Sequence, residues 1–261
     1  TLVTIDCSSS TISENSFEGE STRFASALRV RRPDTVIEEN TFDMSGMGSL
    51  TTVMFLQNNT TPIGEILAAN LSAGQILVHD ASGNVDRTTT IGAAIAAVAA
   101  GTTVAVGPGN YNEDVDISTK AGLKLIGAGA STTTISGVLG GANETVLMGT
   151  NNVLEGFTIT RALGVGENNS GVTITTGTTG SIIQKNIITG NRTAVYCNGG
   201  NSQSSIVQNV ISANRTGFLF PDASGLGAYE ITQNEITLNK TFGILFNAAT
   251  SIHVDFEITN N

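Results

Sequence analysis

An asparagine that returns every 23 to 25 residues constrains this chain more than any other feature. Within each copy it stands three positions after an aliphatic residue and two before an apolar one. Three copies follow one another late in the chain: Ile183, Asn186, Ile188; then Ile206, Asn209, Ile211; then Ile231, Asn234, Ile236. Two more lie near the start: Ile12, Asn15, Phe17 and Ile37, Asn40, Phe42. A relaxed copy, Leu154, Phe157, Ile159, puts phenylalanine in the asparagine slot. Each late copy then carries a second asparagine (Asn191, Asn214, Asn239), a threonine and a short apolar strand. Those strands align Val195 with Phe218 and Ile244, and Cys197 with Phe220 and Phe246.

The alternation within each strand has period 2, so one face is buried. Strands this short, separated by Gly, Asn and Ser turns, cannot bury that face alone. Winding them at about 24 residues per turn does, because each coil stacks on the last at the ~4.8 Å spacing of hydrogen-bonded strands. Equivalent positions then form columns, aliphatic inside and asparagine at a bend. Asparagine suits the bend because it tolerates left-handed backbone angles and its amide bonds to the coils above and below. The expected fold is all-β: a parallel β-helix with a structural ladder of Asn15, Asn40, Asn186, Asn209 and Asn234. An antiparallel sandwich would not keep asparagine in register over several copies.

Composition agrees and narrows the function classes. Charged residues are 13% of the 261, and 12 basic against 22 acidic side chains leave a net charge of −10. That balance excludes a nucleic-acid binder of the basic kind and gives no electrostatic reason to bind anionic lipid. The longest apolar run, Ile91 to Ala100, is too short to span a bilayer. No signal peptide opens the chain, so a mature product or an excised piece is expected. The two cysteines, Cys7 and Cys197, define no disulfide framework; both read as buried thiols.

The stretch from Thr89 to Gly137 resembles the opening of a right-handed parallel β-helix of the pectate-lyase-like superfamily. The residues that carry the resemblance are Ile91-Gly-Ala-Ala-Ile95, Gly101 to Gly109 with its Pro-Gly turn, Tyr111-Asn-Glu113, Leu123 to Gly127 and Thr134 to Gly137. It implies a short helix that plugs the first coil, near 89–100. Local chemistry supports that helix: Thr88 to Thr90 can cap it, Ile91, Ala94, Ile95 and Val98 share a face, and Gly101 can end it. The later copies resemble the short parallel β-helix repeats of bacterial surface and secreted proteins. The scaffold hosts lyases, hydrolases, esterases, epimerases and non-enzymatic fibres, so the resemblance implies a fold and not an activity.

Two repeat copies precede the segment that looks like the start of the helix. The expected organisation is therefore rungs at 1–58, a connector at 59–88 with a strand near Gln75–His79, and the main β-helix with its capping helix at 89–261. The first rungs belong either to a preceding stack or to one exposed at the other end, of this chain or a neighbour. Head-to-tail self-stacking and embedding in a longer chain are the expected partnerships.

Segments that would mark an enzyme are absent. The aspartate-bearing motifs of pectin methylesterases, the paired aspartates of polygalacturonases and the Asp-Pro-His-Glu of alginate epimerases do not occur. His79 and His253 lie in apolar strands. Arg192 and Arg215, with Lys240 next, occupy equivalent slots in successive coils, where a basic ladder could grip an anionic glycan. Glu113, Asp114 and Asp116 could contribute to a calcium site, since hard cations take carboxylate oxygens; no other cofactor is expected. Asn-x-Ser/Thr triplets occur at Asn143, Asn191, Asn214 and Asn239, three of them generated by the repeat. The expected role is a non-enzymatic extracellular structural or adhesive β-helix without membrane insertion. A polysaccharide lyase or hydrolase with carboxylates drawn from different rungs, or a carbohydrate-binding module, stays open beside it.

Overall fold

The structure, a computed structural model, describes residues 3–18, 28–32, 34–43, 51–56, 66–67, 69–71, 74–79, 84–88, 90–161, 170–198, 203–221, 229–247 and 256–261. Contacts divide the chain into two compact units, Thr1–Gly109 with Ile126–Ala128, and Asn110–Leu125 with Gly129–Asn261. The fold is a parallel β-helix that includes a short helix, Ile91–Ala97.

In the second unit each coil contributes three strands, one to each of three sheets. The first sheet runs through Val153–Glu155, Ile182–Gln184, Ser204–Val207, Tyr229–Thr232 and Phe256–Thr259, all parallel. Leu154, Ile183, Ile206, Ile231 and Ile258 pair in register along it. The second sheet aligns Ile135, Ile159, Ile188, Ile211 and Ile236. The third comprises Val115–Asp116, Glu144–Met148, Ser170–Ile174, Thr193–Cys197, Thr216–Phe220 and Phe242–Phe246. There Val195 stacks on Phe218 and Phe218 on Ile244. The expected columns are thus observed, and their members from Leu154 to Ile231 are fully buried. Burying one such side chain contributes roughly 1.5–3 kcal/mol, so the columns are the main source of stability.

The asparagine ladder has a direction. The backbone N–H and Nδ2 of Asn186 both donate to Oδ1 of Asn209, at 3.0 and 3.2 Å. Asn209 donates in the same way to Asn234, and Asn234 to Asn261. Each Nδ2 also reaches back to a carbonyl of the preceding coil, as Asn209 does to Ile183 at 2.9 Å. A parallel ladder joins Asn191, Asn214 and Asn239. Where phenylalanine fills the slot, the Phe157 N–H still donates to Asn186 Oδ1.

The left-handed residue at the bend is the one before the ladder asparagine, not the asparagine itself. Glu14, Glu39, Lys185, Gln208, Gln233 and Asn260 all have φ between 54° and 58°. At the relaxed copy the same position is Gly156, φ 81°. Asparagine is required at the next position because its amide satisfies backbone groups that the turn leaves unpaired.

The first unit repeats the scheme on a smaller scale and then departs from it. Thr11–Ser13 pairs with Val36–Glu38, and Ser16–Glu18 with Thr41–Asp43, all parallel. The Phe17 and Phe42 rings stack with centroids 5.0 Å apart. Asn15 donates to Asn40 and Asn40 to Asn70, which the sequence pattern had not included. Segment 59–88, read as a connector, supplies core: Ile66, Leu67 and Leu77 join Ile12, Phe17, Leu28, Met54 and Ala105 in one cluster. Its strands Ile76–His79 and Asn84–Thr88 pair antiparallel with each other, and Asn84–Thr88 also pairs antiparallel with Thr51–Leu56. The helix Ile91–Ala97 is capped by Thr90, whose hydroxyl accepts from the Ala93 N–H at 3.1 Å. It ends at Val98, before Gly101, and buries Ile91, Ala94 and Ile95. Contacts group it with Thr1–Gly109, so the divisions expected at 58 and 88 and the division observed at Gly109 fall in different places. No helix among the described residues is long and apolar enough to cross a membrane.

Candidate functional site

Side chains at alternate positions of the third sheet point outward. Tyr196 pairs with Leu219, and Leu219 with Leu245, giving an outward apolar column that crosses three coils. Beside it lie the residues that follow the second ladder. The Arg215 N–H bonds the Asn191 carbonyl at 3.0 Å, and the Thr216 N–H bonds the Arg192 carbonyl at 2.9 Å. Arg192 and Arg215 therefore sit one above the other. Together with Thr193, Tyr196, Thr216, Leu219, Thr241, Phe242 and Leu245 they line a shallow cavity of about 220 Å³.

The three basic residues expected to form a ladder keep equivalent backbone places after the second-ladder asparagines, and two of them, Arg192 and Arg215, line the cavity. Lys240 keeps its place after the ladder asparagine, its N–H bonding the Asn214 carbonyl at 2.9 Å. The Thr241 N–H bonds the Arg215 carbonyl at 2.8 Å, as that of Thr216 bonds the Arg192 carbonyl, and one extra residue then precedes the strand, so that Phe242 pairs with Thr216. Lys240 does not line the cavity. Arg215 is exposed and Arg192 half-buried, and among the described residues Arg215 is in no ion pair.

The three carboxylates expected near calcium do not converge. Asp114 forms a buried ion pair with Arg161, Oδ1 to Nη1 at 2.9 Å. Its two oxygens also accept from the Val138 and Ala142 N–H groups at 3.0 and 2.7 Å. Arg161 closes the arrangement by donating to the Val138 carbonyl at 2.8 Å and to that of Ala142. Asp116 Oδ1 instead accepts from the Ser118 N–H and hydroxyl, at 2.8 and 2.6 Å. No group of three or more metal-ligating side chains occurs among the described residues. With Asp114 committed to Arg161, these residues do not fit a calcium ion as a set.

Arg161 is the group that sequence reasoning missed, since its partner lies 47 positions away and outside the repeat. Glu144 stands nearby. Burial pushes its carboxyl above the usual range; Arg161 opposes this, while Asp114 and Asp116 add to it.

Cys197 is fully buried, and burial pushes its thiol far up, partly offset by a hydrogen bond with Tyr229. That excludes a nucleophile at this position. Cys7, expected to be buried, is exposed. Asn191 and Asn214 are buried with their amides bonded in the ladder, whereas Asn143 is exposed. His253 lies outside the described residues, and of His79 only the backbone, in a strand, is described.

No protein-family model matches this chain, and no curated protein does. Among solved structures it is similar to the pectin methylesterase PemA from Erwinia chrysanthemi, at 14% identity over 56% of this chain and 51% of that one, TM-score 0.41. It is also similar to a pectin methylesterase in complex with hexasaccharide VII, at 16% identity over 55% and 51%, TM-score 0.37. The chain spans about half the length of each.

Proposed function

We propose that this chain is a non-enzymatic extracellular β-helix that serves as a stiff support and adheres to acidic polysaccharide through its third sheet. The observation that carries the reading is the stacking of Arg192 on Arg215 beside the Tyr196–Leu219–Leu245 column. Guanidinium forks match carboxylates in geometry, and the adjacent apolar strip suits the C–H face of a sugar ring. In a molecule of net charge −10 this is a local positive site, so its attraction is short-ranged and sensitive to salt. The test is titration of the protein with polyuronate by calorimetry. The expected result is binding that weakens with salt and falls about tenfold, or about 1.4 kcal/mol, in Arg215→Gln. Binding of equal strength in that variant contradicts the reading.

The supporting role includes stacking on a second copy or on further coils. At the last described coil Ile258, Phe242 and Phe246 are exposed where their predecessors are buried. Sedimentation velocity over a range of concentrations reads this, and a concentration-independent monomer refutes it.

A second reading rests on Glu144. Its raised carboxyl, facing Asp114 and Asp116 from another coil, has the protonation bias a general acid in polysaccharide hydrolysis requires. Release of reducing ends from a polysaccharide panel, abolished in Glu144→Gln, supports it.

A further inference from the structure

The asparagine ladders are polar, and their outer ends are complementary. In both units a ladder asparagine donates its N–H and Nδ2 to Oδ1 of the next, as Asn15 does to Asn40 and Asn234 to Asn261. Asn261 receives those bonds, and its Nδ2 reaches back to the Ile231 carbonyl at 2.9 Å. Among the described residues no further asparagine stands ahead of Asn261 to accept from it. At the opposite end Asn15 is exposed, and among the described residues no donor reaches its Oδ1. One end lacks an acceptor and the other lacks donors.

The backbone at the two ends matches as well. Asn260 and Glu14, which precede these asparagines, have φ of 55° and 57°, so both bends share the geometry of the interior ones. Among the described residues Phe256–Thr259 and Phe242–Phe246 each have one bonded neighbour in their sheets, as do Val3–Ile5 and Thr11–Ser13. Counting back from the asparagine sets Glu257, Ile258 and Thr259 against Thr11, Ile12 and Ser13. Apolar side chains are exposed at both ends, Phe242, Phe246 and Ile258 at one and Val3 at the other.

From these matched ends we infer that the last described coil of one copy takes the first coil of a second copy as its next coil. Thr11–Ser13 of the second copy pairs parallel with Glu257–Thr259, and Asn15 Oδ1 of that copy accepts from Asn261. Val3–Ile5 of the second copy then lies over Phe242–Phe246 and covers the exposed phenylalanines. Unpaired strand edges favour such addition. The inference rests on the stacking reading and adds to it the partner, the surfaces and the register. Two molecules of net charge −10 repel, so salt tightens this contact, whereas it weakens polyuronate binding.

The experiment mixes two variants of the whole chain in a Cys7→Ser background, one with Ser13→Cys and the other with Thr259→Cys, under mild oxidation. Register partners on adjacent parallel strands lie about 4.8 Å apart, within reach of a disulfide. The mixed disulfide dimer is expected to exceed either homodimer by about tenfold, and Thr11→Cys in place of Ser13→Cys should lower its yield about fivefold. Ile258→Lys, at an exposed position, should weaken self-association by about tenfold in sedimentation velocity, because a charged edge opposes strand addition. Self-association without a preferred mixed dimer, with equal yield from Thr11→Cys, or unmoved by Ile258→Lys overturns the inference and leaves stacking intact. A concentration-independent monomer overturns both.

Discussion

A single ladder asparagine satisfies more backbone than its size suggests. Asn209 accepts two bonds from Asn186 and donates to Ile183, Val207 and Asn234, all within a buried bend. Alanine there leaves at least two buried backbone groups unpaired, and each costs about 1–3 kcal/mol. Asn209→Ala is therefore expected to destabilise the protein by about 3 kcal/mol, read from urea unfolding; a loss within error of zero would show that the ladder is ornamental. Thiol chemistry gives a second test at this scale. In the native protein one thiol, Cys7, is expected to react with a disulfide reagent, and both should react in denaturant. Rapid modification of two thiols in the native state would place Cys197 at the surface. The ladder itself was readable because its spacing is nearly constant. The left-handed residue before it was not: Glu, Lys and Gln hold that position at Glu14, Glu39, Lys185, Gln208 and Gln233, and none of the three signals positive φ.

Among the elements, the turn from Val138 to Ala142 depends on Arg161 for its shape. Gly141 is required there because a Cβ would collide with the Asp114 carboxylate. Removing the guanidinium strands a carboxylate and two carbonyls, so Arg161→Ala is expected to cost about 3–5 kcal/mol, the usual penalty for breaking a buried pair. Retention of wild-type stability would contradict the bonding described. Glu144 provides a pH test with a definite sign. Its folded-state pKa is raised, so its contribution favours the folded state below the ordinary glutamate range and is lost as pH rises through the folded value. Glu144→Gln should thus be more stable than the parent near neutral pH, with the difference vanishing below about pH 4. A difference that grows on acidification would reverse the assignment. None of this clamp was legible beforehand, because Asp114 and Arg161 belong to no repeated motif and meet only once the coils are stacked. Asn70 was more accessible, since Leu67 stands three positions before it as an aliphatic residue does in every copy.

Across the whole molecule, contacts are legible in the sequence where periodicity carries the information and hidden where it does not. Columns through the second unit repeat one pattern, so residues two dozen positions apart announce their contact. In the first unit the chain turns antiparallel at Asn84–Thr88, and the only local sign was a strand-like stretch inside a presumed connector. The basic face was half visible: Arg192, Arg215 and Lys240 emerge from the repeat, but not the extra residue that brings Phe242 opposite Thr216, nor that the cavity lining includes only the two arginines of the three. Everything proposed for that face depends on successive coils lying in strict register. Cross-linking tests this most directly, in a Cys7→Ser background with paired substitutions on the outward face of the second sheet. Ile187→Cys with Val210→Cys, which are register partners, is expected to form a disulfide under mild oxidation. Ile187→Cys with Ser212→Cys, two positions out of register, is expected to remain reduced, and preferential oxidation of that second pair would contradict the stacked-coil account.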